Sequence, residues 1–182
     1  MEEIVPLDKA QYAGHEIFFA YETELHYDVR VYDTAKGFSV DFVKMPLPEA
    51  VIKRFSSKLY EPYWDAPEAY GVFRFGDLIA VLEVTPENWN KRLRVISLWV
   101  DRAYRRNGYG RLLMDKAKAL MAEKNLRAIV LETQSCNVPA ITFYLCQGFR
   151  LGGFDTTAYR NDDVERKEVR VEMIYKPPRS RA

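Results

Sequence analysis

Cysteine and histidine are scarce in this sequence of 182 residues, which contains two of each. Their positions lack the spacing of a zinc site, so we expect no metal. If Cys136 and Cys146 lie on one helix, about 15 Å of axial rise separates them, which is too far for a disulfide. The sequence therefore predicts neither a structural metal site nor a disulfide.

Long apolar runs and a strong net charge are also missing. No run approaches the roughly 20 apolar residues of a membrane helix, and Met1–Ile4 lack the basic start and apolar run of a signal peptide. The net charge of +1 at pH 7 gives no general reason to expect binding to nucleic acid or to an anionic membrane. We therefore expect a cytoplasmic protein in which any basic function is local.

The apolar content is sufficient for a folded core. Hydrophobic residues make up 48% of the chain and aromatic residues 14%, which is typical of a globular protein and not of a disordered one. No internal repeat or linker is visible. Because the length suits one domain with a sizeable core, we predict a single domain over residues 1–182.

Apolar and alternating segments predict eight strands. They are residues 15–21, 37–44, 69–75, 78–85, 93–100, 128–131, 149–154 and 169–175. Pro46 and Pro48 are expected to end the second strand, and a short helix is expected from Pro48 to Phe55. Gly76-Asp77 predicts a hairpin.

Two segments are predicted to be irregular, and the end of the chain is predicted to be a tail. Residues 55–65, rich in aromatic residues and proline, read as an ordered loop or a broken helix that packs against the core or lines a substrate site. Residues 86–90 are predicted to form a turn, and residues 177–182 are predicted to form the C-terminal tail.

The stretch from Asp101 to Arg111 has the composition of an anion-binding loop. It lies between the strand at 93–100 and a helix predicted over 109–124, whose first N–H groups lack helical partners. Gly108 and Gly110 allow the backbone to approach a ligand closely. Arginine side chains can grip phosphate oxygens with a fork of donors, and the stretch has four: Arg102, Arg105, Arg106 and Arg111.

A second helix follows the strand at 128–131. Asn137 can cap it, Pro139 is tolerated in its first turn, and Gly148 is expected to end it after about Gln147. Helical spacing places Asn137 and Tyr144 on one face, with Ile141 on another.

Three classes of nucleotide-like ligand could use a strand, a glycine-rich loop and a helix. A GxxxxGK[ST] phosphate loop is excluded, because Arg111-Leu112 follows Gly110 where lysine and serine or threonine are required. The dinucleotide fingerprint fits poorly because Leu113 stands where its third glycine is required. The third class is an acyl-coenzyme A loop, whose motif the sequence matches best. A nucleic-acid module is a separate alternative, and it would need a more basic chain.

Two motifs resemble those of the GCN5-related N-acetyltransferases (the GNAT family). The segment at 105–110 fits the family's [Q/R]-x-x-G-x-[G/A] motif, and the segment at 137–149 is similar to its N-x-x-A-x-x-F-Y-x-x-x-G-F pattern. The order strand, helix, strand, helix over residues 95–154 also agrees. This combination is far more specific than the six-residue motif alone.

Within the family, the likeness is greatest to streptothricin acetyltransferases. It is carried by the L-E-T-Q, N-V-P-A and L-G-G-x-D-T segments at 131–134, 137–140 and 151–156, with Tyr159 beyond, and by the N-W-N turn at 88–90. Two departures affect positions that are expected to touch substrate. An acidic pair of those enzymes is replaced by Ile96 and Ser97, and an F-W-Y run by residues 172–175.

The resemblance implies an α+β fold: a mixed, mostly antiparallel sheet of six or seven strands flanked by helices, with an acyl-coenzyme A core over about residues 69–175. The parallel strand pair around the 109–124 helix would be splayed to admit the coenzyme.

The resemblance also implies a set of site residues with acetyl-coenzyme A as the cofactor. The last strand residues before the loop would pair with the pantetheine amides, the loop would bind the pyrophosphate, and Tyr144 is the family's usual general acid. The implied cofactor-binding residues are Leu98, Trp99, Val100, Arg105, Arg106, Asn107, Gly108, Tyr109, Gly110, Arg111, Asn137 and Tyr144.

The implied reaction is acetyl transfer to a primary amine of a small molecule, with a streptothricin-like antibiotic as one candidate, by a monomer or homodimer. The alternatives are a protein or peptide N-acetyltransferase and a non-catalytic acyl-coenzyme A sensor. Glu132 and Ser97 are candidate substrate contacts. No dedicated general base is evident, and water relayed from Glu132 or Glu83 is a hypothesis for that role.

Overall fold

The computed structural model describes residues 3–178, so residues 179–182 of the predicted tail lie outside the described residues. The strands are β1 (Ile4–Leu7), β2 (Glu16–Thr34), β3 (Gly37–Lys58), β4 (Glu68–Arg74), β5 (Asp77–Glu87), β6 (Arg92–Val100), β7 (Ala128–Gln134), β8 (Arg150–Asp155) and β9 (Arg170–Tyr175). The α-helices are α1 (Lys9–Tyr12), α2 (Tyr109–Glu123) and α3 (Val138–Cys146), and a 3₁₀ helix covers Arg102–Tyr104.

Seven strands form one mixed sheet in the order β1-β4-β5-β6-β7-β9-β8, and β2 pairs with β3 in a second sheet. The pairs β1–β4, β4–β5 and β5–β6 are antiparallel. β6 and β7 run parallel, from Arg92 opposite Ala128 to Val95 opposite Leu131. This architecture confirms the predicted α+β class and the strand number, whereas the splay of the parallel pair stays a prediction.

The chain divides into two compact units. The first comprises Met1–Phe19, Phe55–Leu131 and Ile174–Ala182, and the second comprises Ala20–Arg54 and Glu132–Met173.

The core of the first unit is built on β5, in which every residue from Ile79 to Thr85 is buried. Val81 packs in one cluster with Leu7, Leu59 and Tyr60. Because side chains alternate along a strand, Leu82 points to the opposite face of the sheet. Helix α2 packs on β5 and β6 and buries five apolar residues: Leu113, Met114, Ala117, Leu120 and Met121. Burial of each large apolar side chain contributes roughly 1.5–3 kcal/mol.

In the second unit, the fully buried Ser135 connects its own segment to two others, at Tyr27 and at residues 167–169. Its N–H donates to the Val169 carbonyl at 2.8 Å, and its carbonyl accepts from the Tyr27 N–H at 2.9 Å. Its hydroxyl donates to the Lys167 carbonyl at 2.9 Å. These bonds satisfy the polar groups of a segment that has no access to water.

Two sequence predictions about residues 15–58 are wrong in extent. β2 continues to Thr34, and β3 runs from Gly37 to Lys58, through the proposed helix from Pro48 to Phe55. In a two-stranded sheet each strand has an unpaired edge, where the missing N–H of proline costs no ladder hydrogen bond. Tertiary pairing therefore overrides the two prolines.

The hairpin between β4 and β5 is confirmed, with a shift of one residue. Arg74 pairs with Asp77, so the two-residue loop is Phe75-Gly76 and not Gly76-Asp77. Both loop residues have positive φ, 52° for Phe75 and 91° for Gly76, as the tight turn of a two-residue hairpin requires.

Residues 55–65 begin as strand up to Lys58 and continue as turns and bends. Leu59 and Tyr60 are buried in the core, which confirms packing for this part of the segment, whereas Tyr63 is exposed. The Tyr60 hydroxyl donates to the Leu7 carbonyl.

Cys136 and Cys146 are free thiols, the first buried and the second exposed, and Cys136 precedes α3. Within residues 3–178 no cluster of three or more His, Cys, Asp and Glu side chains could hold a metal ion. No helix in the described part of the chain has the length and apolarity to cross a membrane.

The hairpin loop generates a stability prediction. The Phe75 side chain is 91% exposed, and its backbone has the left-handed conformation. This conformation costs a residue with a Cβ about 1–2 kcal/mol unless its side chain forms a local hydrogen bond. We expect Phe75→Asn, which creates the favoured Asn-Gly loop, to raise the free energy of unfolding by about 1 kcal/mol in urea denaturation. The control Phe75→Ala keeps the unfavourable conformation and should give no such gain. Equal effects of the two substitutions would contradict this explanation.

Candidate functional site

The site residues predicted from the sequence fall in both units. Ser97, the end of β6 and the arginine-glycine loop belong to the first unit, and Glu132, Asn137 and Tyr144 belong to the second.

The end of β6 is held by β5. Leu98 lies opposite Leu82, Trp99 opposite Val81, and Val100 opposite Ala80. The Trp99 indole N–H also donates to the Phe18 carbonyl at 2.8 Å. The strand that delivers the chain into the loop is therefore fixed by both backbone pairing and a side-chain bond.

A β-bulge interrupts the β5–β6 pairing just before this segment. Glu83 lies opposite Ser97, but the next pair is Val84 with Val95, so Ile96 is the extra residue. A bulge increases the local twist and re-aims the side chains beside it.

The base of the loop is anchored by Asp101 and Arg105. The Asp101 N–H donates to the Ile79 carbonyl at 2.8 Å, and its carboxylate accepts the Ala103 N–H at 2.8 Å. The Arg105 Nε donates back to the Val100 carbonyl at 3.0 Å. The sequence reasoning missed Asp101, although an aspartate just before a helical turn is a capping signal.

The rest of the loop presents a positive, open surface at the start of α2. Arg106 and Gly108 have positive φ values of 69° and 90°, and Gly108 occupies the helix N-cap without a side chain to cap it. The first turn of α2 contains no acidic residue. A Cβ added to Gly108 would meet nothing within 4 Å. Exposed Arg106 and Arg111 flank this end of the helix, so the geometry fits a phosphate group.

Asn137 caps α3, as the sequence predicts. Its side-chain oxygen accepts the Ala140 N–H at 3.2 Å, and Pro139 lies in the first turn. Its contact with a pantetheine arm stays a prediction.

Tyr144 lies on α3 between two aromatic rings. Its ring centroid is 5.5 Å from that of Phe143 and 5.9 Å from that of Phe149. Desolvation raises the pKa of Tyr144 to about 12. Its hydroxyl makes no hydrogen bond with the residues that the structure describes.

Both carboxylate oxygens of Glu132 are engaged within the second unit. The Tyr159 hydroxyl donates to Oε1 at 2.9 Å, and the Arg170 Nε is 3.0 Å from Oε2. Arg170 also contacts Glu172 at 3.0 Å. The role of Arg170 could not be identified from the sequence, because Arg170 lies 38 positions after Glu132.

Glu83 and Ser97 form a buried polar pair at the bulge. Glu83 is 0% exposed and Ser97 is 3% exposed. The Tyr60 N–H donates to Glu83 Oε1 at 2.6 Å, whereas Oε2 has no hydrogen-bond partner among the described residues. Burial raises the pKa of the Glu83 carboxyl, and the Tyr60 N–H and the hydroxyl of Ser97, which lies opposite Glu83 across the strand pair, oppose that rise. The signal in the sequence was a lone acid in the otherwise apolar run 78–84.

Comparison with known proteins agrees with these features. The profile of the acetyltransferase (GNAT) family matches residues 40–149. A streptothricin acetyltransferase from Escherichia coli is 34% identical over 91 residues, which cover 50% of this chain and 52% of that protein. The match therefore spans about half the length of that curated relative.

Two solved structures have the same fold over nearly their whole length. Nourseothricin acetyltransferase aligns with a TM-score of 0.73 and 24% identity, covering 97% of this chain and 98% of that one. A Bacillus anthracis (strain Ames) protein solved in complex with acetyl coenzyme A aligns with a TM-score of 0.75 and 22% identity, covering 98% of both chains. The resemblance to the GNAT family and to streptothricin acetyltransferases is thus confirmed.

Proposed function

Because this chain belongs to the acetyltransferase (GNAT) family, we propose that it transfers an acetyl group from acetyl-coenzyme A to a primary amine of a small molecule. The observation that carries this proposal is the loop at 105–111. In that loop the N-cap of a 15-residue helix has no side chain, and exposed arginines lie beside it. These features favour the binding of phosphate groups.

In this proposal the loop binds the pyrophosphate of the coenzyme through its backbone N–H groups and its arginine side chains. Leu98, Trp99 and Val100 provide backbone groups for the pantetheine amides, and Asn137 contacts the pantetheine arm. Bound acetyl-coenzyme A supplies an acetyl group already activated as a thioester.

Tyr144 is proposed as the general acid that protonates the departing thiolate. A pKa of about 12 keeps the phenol protonated throughout the neutral range, so it always holds a proton to donate. Its hydroxyl makes no competing hydrogen bond with a described residue that would have to break first.

For the acceptor we propose a cationic antibiotic-like amine of the streptothricin class. The support is the E. coli relative's name and the L-E-T-Q and N-V-P-A segments that flank the second half of the predicted site. We further propose that the protein works in the cytoplasm, as a monomer or a homodimer.

The direct test of the function is thiol release from acetyl-coenzyme A by the purified protein. We expect release to accelerate when streptothricin or a related amine is added, with polyamines and peptide amines as comparison acceptors. Release with a peptide amine alone would keep the reaction and replace the acceptor class. No release with any amine, while coenzyme A still binds, would contradict the enzyme proposal.

The role of Tyr144 predicts a specific loss. Tyr144→Phe keeps the ring between Phe143 and Phe149 but removes the proton, so we expect kcat to fall on the order of 10²-fold or more while coenzyme A affinity is maintained. Tyr32→Phe, an exposed position in the same unit, is the matched control and should leave both quantities unchanged. A wild-type kcat in Tyr144→Phe would remove this residue from the acid role.

A further inference from the structure

The proposed reaction requires a proton acceptor that the family motifs of this chain do not supply. An amine is mostly an ammonium ion at neutral pH, and its nitrogen must lose two protons to become an amide. One of them restores the Tyr144 hydroxyl after Tyr144 has protonated the thiolate sulfur. The other must pass through a base to solvent.

Glu132 is poorly placed to accept that proton. One of its oxygens accepts from the Tyr159 hydroxyl and the other is held by the Arg170 guanidinium. Glu132 therefore acts as part of an ion-pair network within the second unit.

Glu83 has the opposite environment. It is fully buried, one oxygen is fixed by the Tyr60 N–H, and the other has no partner among residues 3–178. A buried polar atom without a partner lowers the stability of the fold, so a carboxylate oxygen left in this state needs an explanation beyond stability.

Ser97 connects this carboxyl group to the end of β6. It lies directly opposite Glu83 across the β5–β6 pair, and the extra residue Ile96 precedes it. The next three residues, Leu98 to Val100, are those proposed to meet the pantetheine arm. Ser97 thus pairs with a buried carboxyl group and directly precedes the residues proposed to meet the pantetheine arm.

We propose that Glu83 receives the proton released by the acceptor amine, with the Ser97 hydroxyl as the relay between them. In this step the amine nitrogen gives a proton to Ser97 Oγ as the Ser97 hydroxyl proton passes to Glu83 Oε2. The carboxylate becomes a neutral acid, and the nitrogen lone pair becomes free to form the N–C bond as the C–S bond breaks. Glu83 later releases this proton to solvent. The inference rests on the proposed function, because it assigns the base of that same reaction.

The charges around Glu83 are consistent with this role. Burial raises its pKa, and Glu61, on the segment after β3, raises it further. β4 presents Ala69 opposite it and β6 presents Ser97, and no lysine or arginine of the described chain is among the groups that shift it. A carboxylate whose conjugate acid has a raised pKa is a stronger base than an ordinary carboxylate.

The decisive variant is Glu83→Gln, which can keep the bond from the Tyr60 N–H but cannot take a proton. We expect kcat/KM with the acceptor to fall about 10²-fold and the acid limb of its pH profile, set by the raised pKa of Glu83, to disappear. Coenzyme A affinity should not change. The control Glu87→Gln removes a carboxylate from the same strand that pairs with Arg92 and Arg94, and it should leave the pH profile in place.

A second variant and a measurement that does not depend on turnover keep the proposal testable if Glu83→Gln misfolds. Ser97→Ala should also lose most activity and should shift the NMR titration of the Glu83 carboxyl carbon upward, because the Ser97 hydroxyl opposes the rise of its pKa. A Glu83 carbon that titrates at an ordinary pKa, or a wild-type pH profile in either variant, would overturn this inference alone. A wild-type protein that is inactive towards every amine would overturn the proposed function and this inference with it.

Discussion

The antiparallel pairing of β5 with β6 is the constraint on which the proposed function depends. β5 is buried from Ile79 to Thr85, and its register fixes the last residues of β6, from Ser97 to Val100. The same pairing leads directly into the anchored turn at Asp101, whose N–H is bonded to β5 at Ile79. The orientation of the arginine-glycine loop at the start of α2 is therefore set by the core of the first unit.

The bulge at Ile96 shifts the register of this pairing beside Glu83 and Ser97. Without the extra residue, Glu83 and Ser97 would lie in an unbroken ladder between two buried strands. With it, the pair occupies the point where the register shifts, immediately before the proposed coenzyme-binding residues. Bulges are common beside active sites because they re-aim side chains without unfolding the sheet. The bulge thus lies beside the Glu83–Ser97 pair and directly before the residues proposed to meet the pantetheine arm.

The sequence predicted the elements whose signals are local. Asn137 before α3 is a capping signal that operates within a few residues, and α3 begins where this signal places it. α2 begins at Tyr109, as the helical pattern predicted. The extents of β2 and β3 were wrong because pairing between distant segments, and not the local prolines, decides them. The free oxygen of Glu83 could not be predicted, because it depends on which groups fail to reach a buried atom in the folded chain.

Backbone amide NMR during titration with coenzyme A tests most directly the claim that the loop at 105–111 binds the coenzyme's phosphates. We predict that the amide signals of Arg106, Gly108 and Gly110 shift with coenzyme A and remain in place with pantetheine, which lacks the pyrophosphate. Unchanged loop amides at saturating coenzyme A, or equal shifts with pantetheine, would contradict the assignment of the loop as the pyrophosphate site.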